Sequence, residues 1–400
     1  MAKINENFTK LKKNYLFIDI AKRIAAYKEK NPGKEIIRMG IGDVTLPIPA
    51  AAVEFMKRGA NEMGVKETFR GYEDTGRGYD FLKKAVADYY AEREITIPLD
   101  DIFINDGAKS DTGNITDIFS ENSVVLVSDP VYPVYVDSNI MGGKQLIYAD
   151  ATAENGFKAM PNYNVKCDLI YLCSPNNPTG AVYTKDELKV WVDYANAKKA
   201  VIIFDAAYEA FIYDKTLPRS IFEIPGAKTC AIEMCSLSKT AGFTGLRCGY
   251  TIVPEELKAY TEDGGEVSLR DTWTRRQGSK FNGVSYPVQC AAAGVFSPEG
   301  RRQVQTNIDY YMENASIILD TLRSLKIPCT GGENSPYIWF KTPSNMDSWQ
   351  FFDYLLENIQ VVGTPGEGFG KNGDGWFRLT SFNTHENTAE AMSRLKHMLR

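Results

Sequence analysis

A chain of 400 residues, 44% hydrophobic and 24% charged, can bury a large core and divide into two domains. A formal charge of −5, with no long run of Lys or Arg, leaves no basic footprint for nucleic acid or an anionic membrane, so small-molecule partners are expected. The only two histidines, His385 and His397, sit near the carboxyl terminus, and the seven cysteines are scattered without a Cys-x-x-Cys pair, which argues against Ser/His/Asp or Cys/His hydrolases, zinc sites and a disulfide frame.

Residues 1–45 are helix-forming, end in a Gly-rich stretch around Gly40 and Gly42, and read as an arm that reaches toward another domain or subunit. They lack the apolar run of a signal peptide, and no later segment is apolar for long enough to span a bilayer, so a cytoplasmic protein is expected. Short apolar runs at 101–105, 124–128, 169–173, 201–204, 230–235 and 250–253 predict buried strands. Three- and four-residue apolar spacing predicts helices over 111–120, 132–141 and 185–198. This alternation defines an α/β fold class, with a large domain over 46–289 built on a mainly parallel sheet. The pattern then changes to a long helix over 303–325, a strand at 336–341, a helix at 348–357 and a strand at 376–381, giving a smaller α+β domain over 290–400.

In open α/β sheets, polar ligand groups follow the carboxyl ends of strands. With histidine set aside, lysine chemistry is the natural search, and Ser236-Leu237-Ser238-Lys239, continuing to Arg247 through a Gly-rich turn, is the strongest candidate. A Schiff-base lysine needs a short, packed loop, and the hydroxyls of Ser236 and Ser238 with the Arg247 guanidinium suit a phosphate dianion. Asp205 ends an apolar strand, where a buried carboxylate needs a cationic partner such as a protonated pyridine nitrogen. Tyr208, three residues on, can tune a ring oxygen; read alone, the pair is also a helix cap and a core tyrosine. Asn177, in Asn176-Asn177-Pro178-Thr179-Gly180, offers an amide donor to the cofactor or a substrate carboxylate, although that string is equally a good turn. Ala108 and Lys109 follow Gly107 at a strand-to-helix junction where backbone NH groups can hold an anion. Tyr132 can stack on a pyridine ring or serve as a loop tyrosine. Arg378, on a late strand, suits bidentate binding of an α-carboxylate.

Taken in order, Gly107-Ala108-Lys109, Tyr132, Asn177-Pro178-Thr179-Gly180, Asp205-x-x-Tyr208, Ser236-x-Ser238-Lys239, Arg247 and Arg378 resemble the fold-type I, class I/II aminotransferases, and the likeness runs through nearly the whole chain. It implies pyridoxal 5'-phosphate (PLP) held at Lys239, ping-pong amino transfer between amino and keto acids, and a homodimer with shared active sites. A narrower resemblance, to the branch that moves an amino group between glutamate and tetrahydrodipicolinate to give LL-diaminopimelate in lysine biosynthesis, rests on Gly40-Ile41-Gly42-Asp43, Arg70-Gly71-Tyr72-Glu73, Gly78-Tyr79-Asp80-Phe81 and Asn282-Gly283-Val284-Ser285-Tyr286. It implies that Tyr72 reaches the phosphate of a neighbouring subunit's cofactor, that Asn282 comes from the same neighbour, and that Tyr15, Gly42, Lys109 and Asn282 help to form the substrate pocket. It also places Glu73 where a carboxylate can meet the distal ammonium. The alternatives are another class I aminotransferase, for aspartate, alanine or aromatic amino acids, and a PLP-dependent lyase on the same fold.

Overall fold

A computed structural model describes residues 1–11, 16–40, 42–73 and 75–399. Its centre is a seven-stranded sheet of β1 (Ile102–Asn105), β2 (Val124–Asp129), β3 (Gln145–Asp150), β4 (Leu169–Cys173), β5 (Val201–Asp205), β6 (Ala231–Ser236) and β7 (Gly249–Ile252), in the order β1-β7-β6-β5-β4-β2-β3. Six strands share one direction and β7 alone runs against them. The sheet is mainly parallel, as expected, and is mixed only through β7. β4, β5 and β6 are buried along their whole lengths, which explains why they read as unbroken apolar runs.

The strand ends determine where polar residues gather. Asp205 is in register with Cys173 on one side and Met234 on the other, while Gly249 faces both Ser236 and Asn105. The loops after β1, β4, β5 and β6, and the turn before β7, thus open at one edge of the sheet.

The helix Lys185–Lys198 matches its predicted span, because Thr184 and Glu187 form a capping box at its start and Lys199 leaves it in left-handed backbone. The helix expected over 111–120 begins earlier, at Ala108, and tightens into a 3₁₀ turn at Ile115–Ile118. β3 has no counterpart among the predicted strands. It is a partly exposed edge strand, so no buried apolar run announces it.

A second sheet, β8 (Cys329–Gly331), β9 (Tyr337–Lys341), β10 (Thr364–Pro365) and β11 (Trp376–Thr380), is antiparallel in the order β8-β9-β11-β10. The helices Ser348–Ile359 and His385–Met398 cover its core, and the amino-terminal helix Leu16–Lys30 contributes Leu16, Ile20 and Ile24 to the same core. The long helix Pro298–Ser324 joins the two halves: Val304, Ile308 and Tyr311 belong to the core around the large sheet, whereas Ala315, Ile318 and Leu322 belong to the other. Tyr311 also fixes the segment after Gly42, since its hydroxyl accepts hydrogen bonds from the backbone NH groups of Thr45 (2.8 Å) and Leu46 (2.7 Å).

One core group makes stability depend on pH. Glu233, on β6, accepts hydrogen bonds from the Tyr90 hydroxyl, from Ser220 Oγ at 2.8 Å and from the Ile221 NH at 2.7 Å. Burial outweighs these donors and pushes its carboxyl from 4.5 up to about 7. The folded chain holds a proton that the unfolded chain releases above about 4.5, so this contribution is complete below that pH and is lost as pH rises through about 7. Glu233→Gln is therefore expected to raise the calorimetric Tm by a few degrees at pH 8 and to change it little at pH 5. An equal shift at both pH values would show that Glu233 is not the titrating group.

Candidate active site

At the polar edge of the large sheet lies a cavity of about 290 Å³. Its wall includes Asp205, Tyr208, Lys239, Asn177, Tyr132 and Arg247, together with Ser236, Ser238, Ala108 and Lys109. The geometry therefore brings ten separately read residues to one place.

Lys239 lies on a single helical turn, Leu237–Thr240, immediately after β6. Ser236 caps this turn by accepting a hydrogen bond from the Ser238 NH at 3.1 Å. Burial pulls the Lys239 amine down to about 8; Asp43 opposes the shift, and Arg247 and Arg378 add to it. About a tenth of the amine is then unprotonated at pH 7, far more than for an ordinary lysine, and this is the form that can act as nucleophile or base.

Arg247 adopts left-handed backbone at φ 66° and aims its guanidinium back at this turn, donating to Ser238 Oγ at 3.1 Å and to the Thr244 carbonyl at 3.3 Å. The chain facing it must be glycine. Gly107 has φ 116°, and a Cβ there would lie 2.4 Å from an Arg247 nitrogen. Gly107 precedes the helix Ala108–Asn114, so two hydroxyls, a guanidinium and the first NH groups of a helix converge at this end of the cavity.

The carboxylate end is built differently. Asp205 Oδ1 accepts the Ala207 NH at 3.0 Å, and Oδ2 accepts the Tyr135 hydroxyl at 2.5 Å. Burial nonetheless raises its carboxyl, and among the described residues it has no ion-pair partner. It can carry a charge cheaply only opposite a cation. Tyr208 is buried beside it and shares a 2.7 Å hydrogen bond with the hydroxyl of Tyr337.

Arg378 is 1% exposed on β11. Its guanidinium donates to Asn177 Oδ1 at 2.6 Å, to the Gly40 carbonyl at 2.7 Å and to Thr364 Oγ1 at 3.2 Å, and it lies 4.5 Å from the centre of the Tyr337 ring. Gly40 is required at this crossing, since a Cβ would lie 2.5 Å from the Gly363 carbonyl carbon. Arg378 and Asn177, 201 residues apart, are thus hydrogen-bonded to each other.

The substrate-pocket candidates are placed less uniformly. Gly42 packs against the Tyr337 hydroxyl, with no room for a side chain, and Lys109, although in the wall, is exposed. Tyr72 is 82% exposed and Asn282 is also exposed; neither lines the cavity within the single chain. Tyr15 lies outside the described residues. Glu73 is engaged by its own loop: Oε1 accepts from Thr75, and Oε2 accepts the NH groups of Arg77 and Gly78 at 3.0 and 3.2 Å. Sequence reasoning did not single out Tyr135 or Tyr337. Tyr135 had a signal, lying one helical turn after Tyr132, whereas Tyr337 reads only as the start of an apolar strand.

Residues 34–395 match the family described as aminotransferase class I and II, and the chain belongs to that family. It is similar over 99% of its length to proteins named LL-diaminopimelate aminotransferase, at 53% identity to that of Agathobacter rectalis, whose whole length is covered, and at 49% to that of Methanosphaera stadtmanae, covered to 99%. Among solved structures it resembles L,L-diaminopimelate aminotransferase from Chlamydomonas reinhardtii, with a TM-score of 0.92 and 37% identity over 100% of this chain and 99% of that one. The fold is that of the fold-type I transferases, and the chain is an aminotransferase.

Proposed function

We propose that this aminotransferase uses PLP to move an amino group between glutamate/2-oxoglutarate and tetrahydrodipicolinate/LL-diaminopimelate, the activity carried in the names of its full-length relatives. The observation that carries the cofactor reading is the make-up of the cavity wall: hydroxyls and a guanidinium suited to an anion, a buried carboxylate with no ion-pair partner among the described residues, and an amine that burial pulls down to about 8. Those groups fit a phosphorylated pyridine aldehyde.

In this reading Ser236, Ser238, Arg247 and the NH groups of Ala108 and Lys109 would hold the phosphate, Tyr132 would pack against the ring, and Asn177 and Tyr208 would serve the ring oxygen. Asp205 holds the ring nitrogen in its protonated form. When bound, the cofactor supplies a sink for the electron pair left on the substrate Cα. Lys239 anchors it covalently between turnovers, and its freed amine takes the proton from Cα and returns it on the other side of the transfer. Arg378 and Asn177 hold the α-carboxylate, which orients the Cα–H bond for removal and disfavours loss of the carboxylate itself.

We infer further that the enzyme is a cytoplasmic homodimer, with Tyr72 and Asn282 serving the neighbouring site and Tyr15, Gly42 and Lys109 completing the substrate pocket. Their exposure in the single chain supports this for Tyr72 and Asn282. Among the described residues no helix is long and apolar enough to cross a membrane. The working division is an arm and part of the small domain over 1–45, a cofactor domain over 46–289 and the rest of the small domain over 290–400.

The test of the substrate is a panel of amino donors with 2-oxoglutarate as acceptor. LL-diaminopimelate should exceed aspartate, alanine and phenylalanine in kcat/KM by roughly 10²-fold or more, because a pocket with polar partners for a second zwitterionic end is penalised when they are left unmet. The meso isomer should be poor, since its distal amine and carboxylate exchange places. Equal or better use of aspartate or phenylalanine would overturn the substrate assignment and leave the reaction class standing.

A further inference from the structure

Tyr135 has a role that none of the sequence motifs carries. Its ring lies in the first turn of the helix Pro133–Met141, stacked on Tyr171 with centroids 5.0 Å apart and planes at 24°, and it meets Tyr132 edge-on at 5.6 Å. Asn139 donates to its backbone carbonyl at 2.7 Å, and Tyr171 is itself tied by its hydroxyl to the Thr112 carbonyl at 3.2 Å. This packing directs the Tyr135 hydroxyl onto Asp205 Oδ2 at 2.5 Å, while the Ala207 NH takes Oδ1. Two donors from different elements, one to each oxygen, fix the plane of the carboxyl group. The length is that of a hydrogen bond to a charged oxygen.

We propose that Tyr135 is a positioning residue, whose hydroxyl keeps Asp205 ionised and in the plane from which it meets a cationic ring nitrogen. This deepens the reading of the cavity as a PLP site and rests on it. Burial alone favours the neutral carboxylic acid at Asp205, and the Tyr135 and Ala207 hydrogen bonds are what oppose it. The phenol is a dependable donor, because burial and the adjacent carboxylate hold its own ionisation well above the ordinary tyrosine range. Among the described residues Cys173, Tyr208 and Tyr337 also lie against Asp205, all shifted upward and hence neutral, so none of these three supplies a charge in its place.

The test is an equilibrium titration of the full chain, stripped of cofactor, with PLP. It compares wild type, Tyr135→Phe, Asp205→Asn and the double variant. Loss of a hydrogen bond to a charged group should weaken binding about tenfold in Tyr135→Phe. The same change in the Asp205→Asn background should cost less than about twofold, because the charge it serves is already gone. Equal losses in both backgrounds would mean that the hydroxyl acts only through packing, and an unchanged affinity in Tyr135→Phe would mean that it does nothing; either overturns the inference. A wild type that takes up no PLP overturns the reading of the cavity, and this inference with it. Should Tyr135→Phe fail to fold, isotope-edited infrared difference spectra of wild type against Asp205→Asn read the charge directly at neutral pH. A carboxylate band supports the inference and a carboxylic-acid band overturns it.

Discussion

Lys239→Ala is expected to reduce amino transfer by on the order of 10⁴-fold or more and to abolish covalent retention of PLP. Two losses combine in this variant. The tether disappears, and so does, among the described residues, the only lysine in the cavity besides the exposed Lys109. Burial pushes the Tyr208 phenol upward, away from neutral pH, so it stays neutral and is a poor proton acceptor. The fold should survive, because the turn that carries Lys239 is held by the Ser236 cap and by the Ala241 NH donating to the Leu237 carbonyl, neither of which involves the amine. Single-turnover transfer from LL-diaminopimelate, followed by the loss of the visible cofactor band, measures the effect. Transfer within tenfold of wild type would require another base.

Asp205→Asn should slow the same half-reaction by about 10³-fold, since a neutral amide cannot stabilise a protonated ring nitrogen as a carboxylate does. Stability is expected to move the other way. Burial raises the Asp205 carboxyl, so its ionised form opposes folding increasingly as pH rises, and asparagine of the same shape removes that opposition. The cofactor-free variant should therefore melt at or above wild type near pH 8 while failing in single-turnover assays. Near-normal turnover would give Asp205 some other task, and a variant that melts far below wild type would make it a structural residue.

The strands of the large sheet were legible in the sequence to different degrees, for a physical reason. A strand buried on both faces is an unbroken apolar run, so β4, β5 and β6 and the polar residues just beyond them could be read one element at a time. β3, half-exposed at the sheet edge, carries no such signal. Asp205 itself shows how close the boundary was: it lies inside β5 as the last residue, paired with Cys173 and Met234, although the apolar run stops at Phe204. The contacts that assemble the site join distant segments and were invisible at that level. Arg378 and Asn177 each looked suited to a carboxylate, but their hydrogen bond depends on β11 facing the loop after β4. The aim of the Arg247 guanidinium could be known only from the space that Gly107 leaves for it.

Whether Lys239 carries PLP is decided by reducing the purified protein with borohydride, digesting it and locating the modified peptide by mass. A yellow protein is expected, its band bleached by the reductant, with a pyridoxyl phosphate adduct on Lys239 alone and none in Lys239→Ala. An adduct on any other lysine, or a wild-type protein that forms no reducible adduct after incubation with PLP, would contradict the assignment of Lys239.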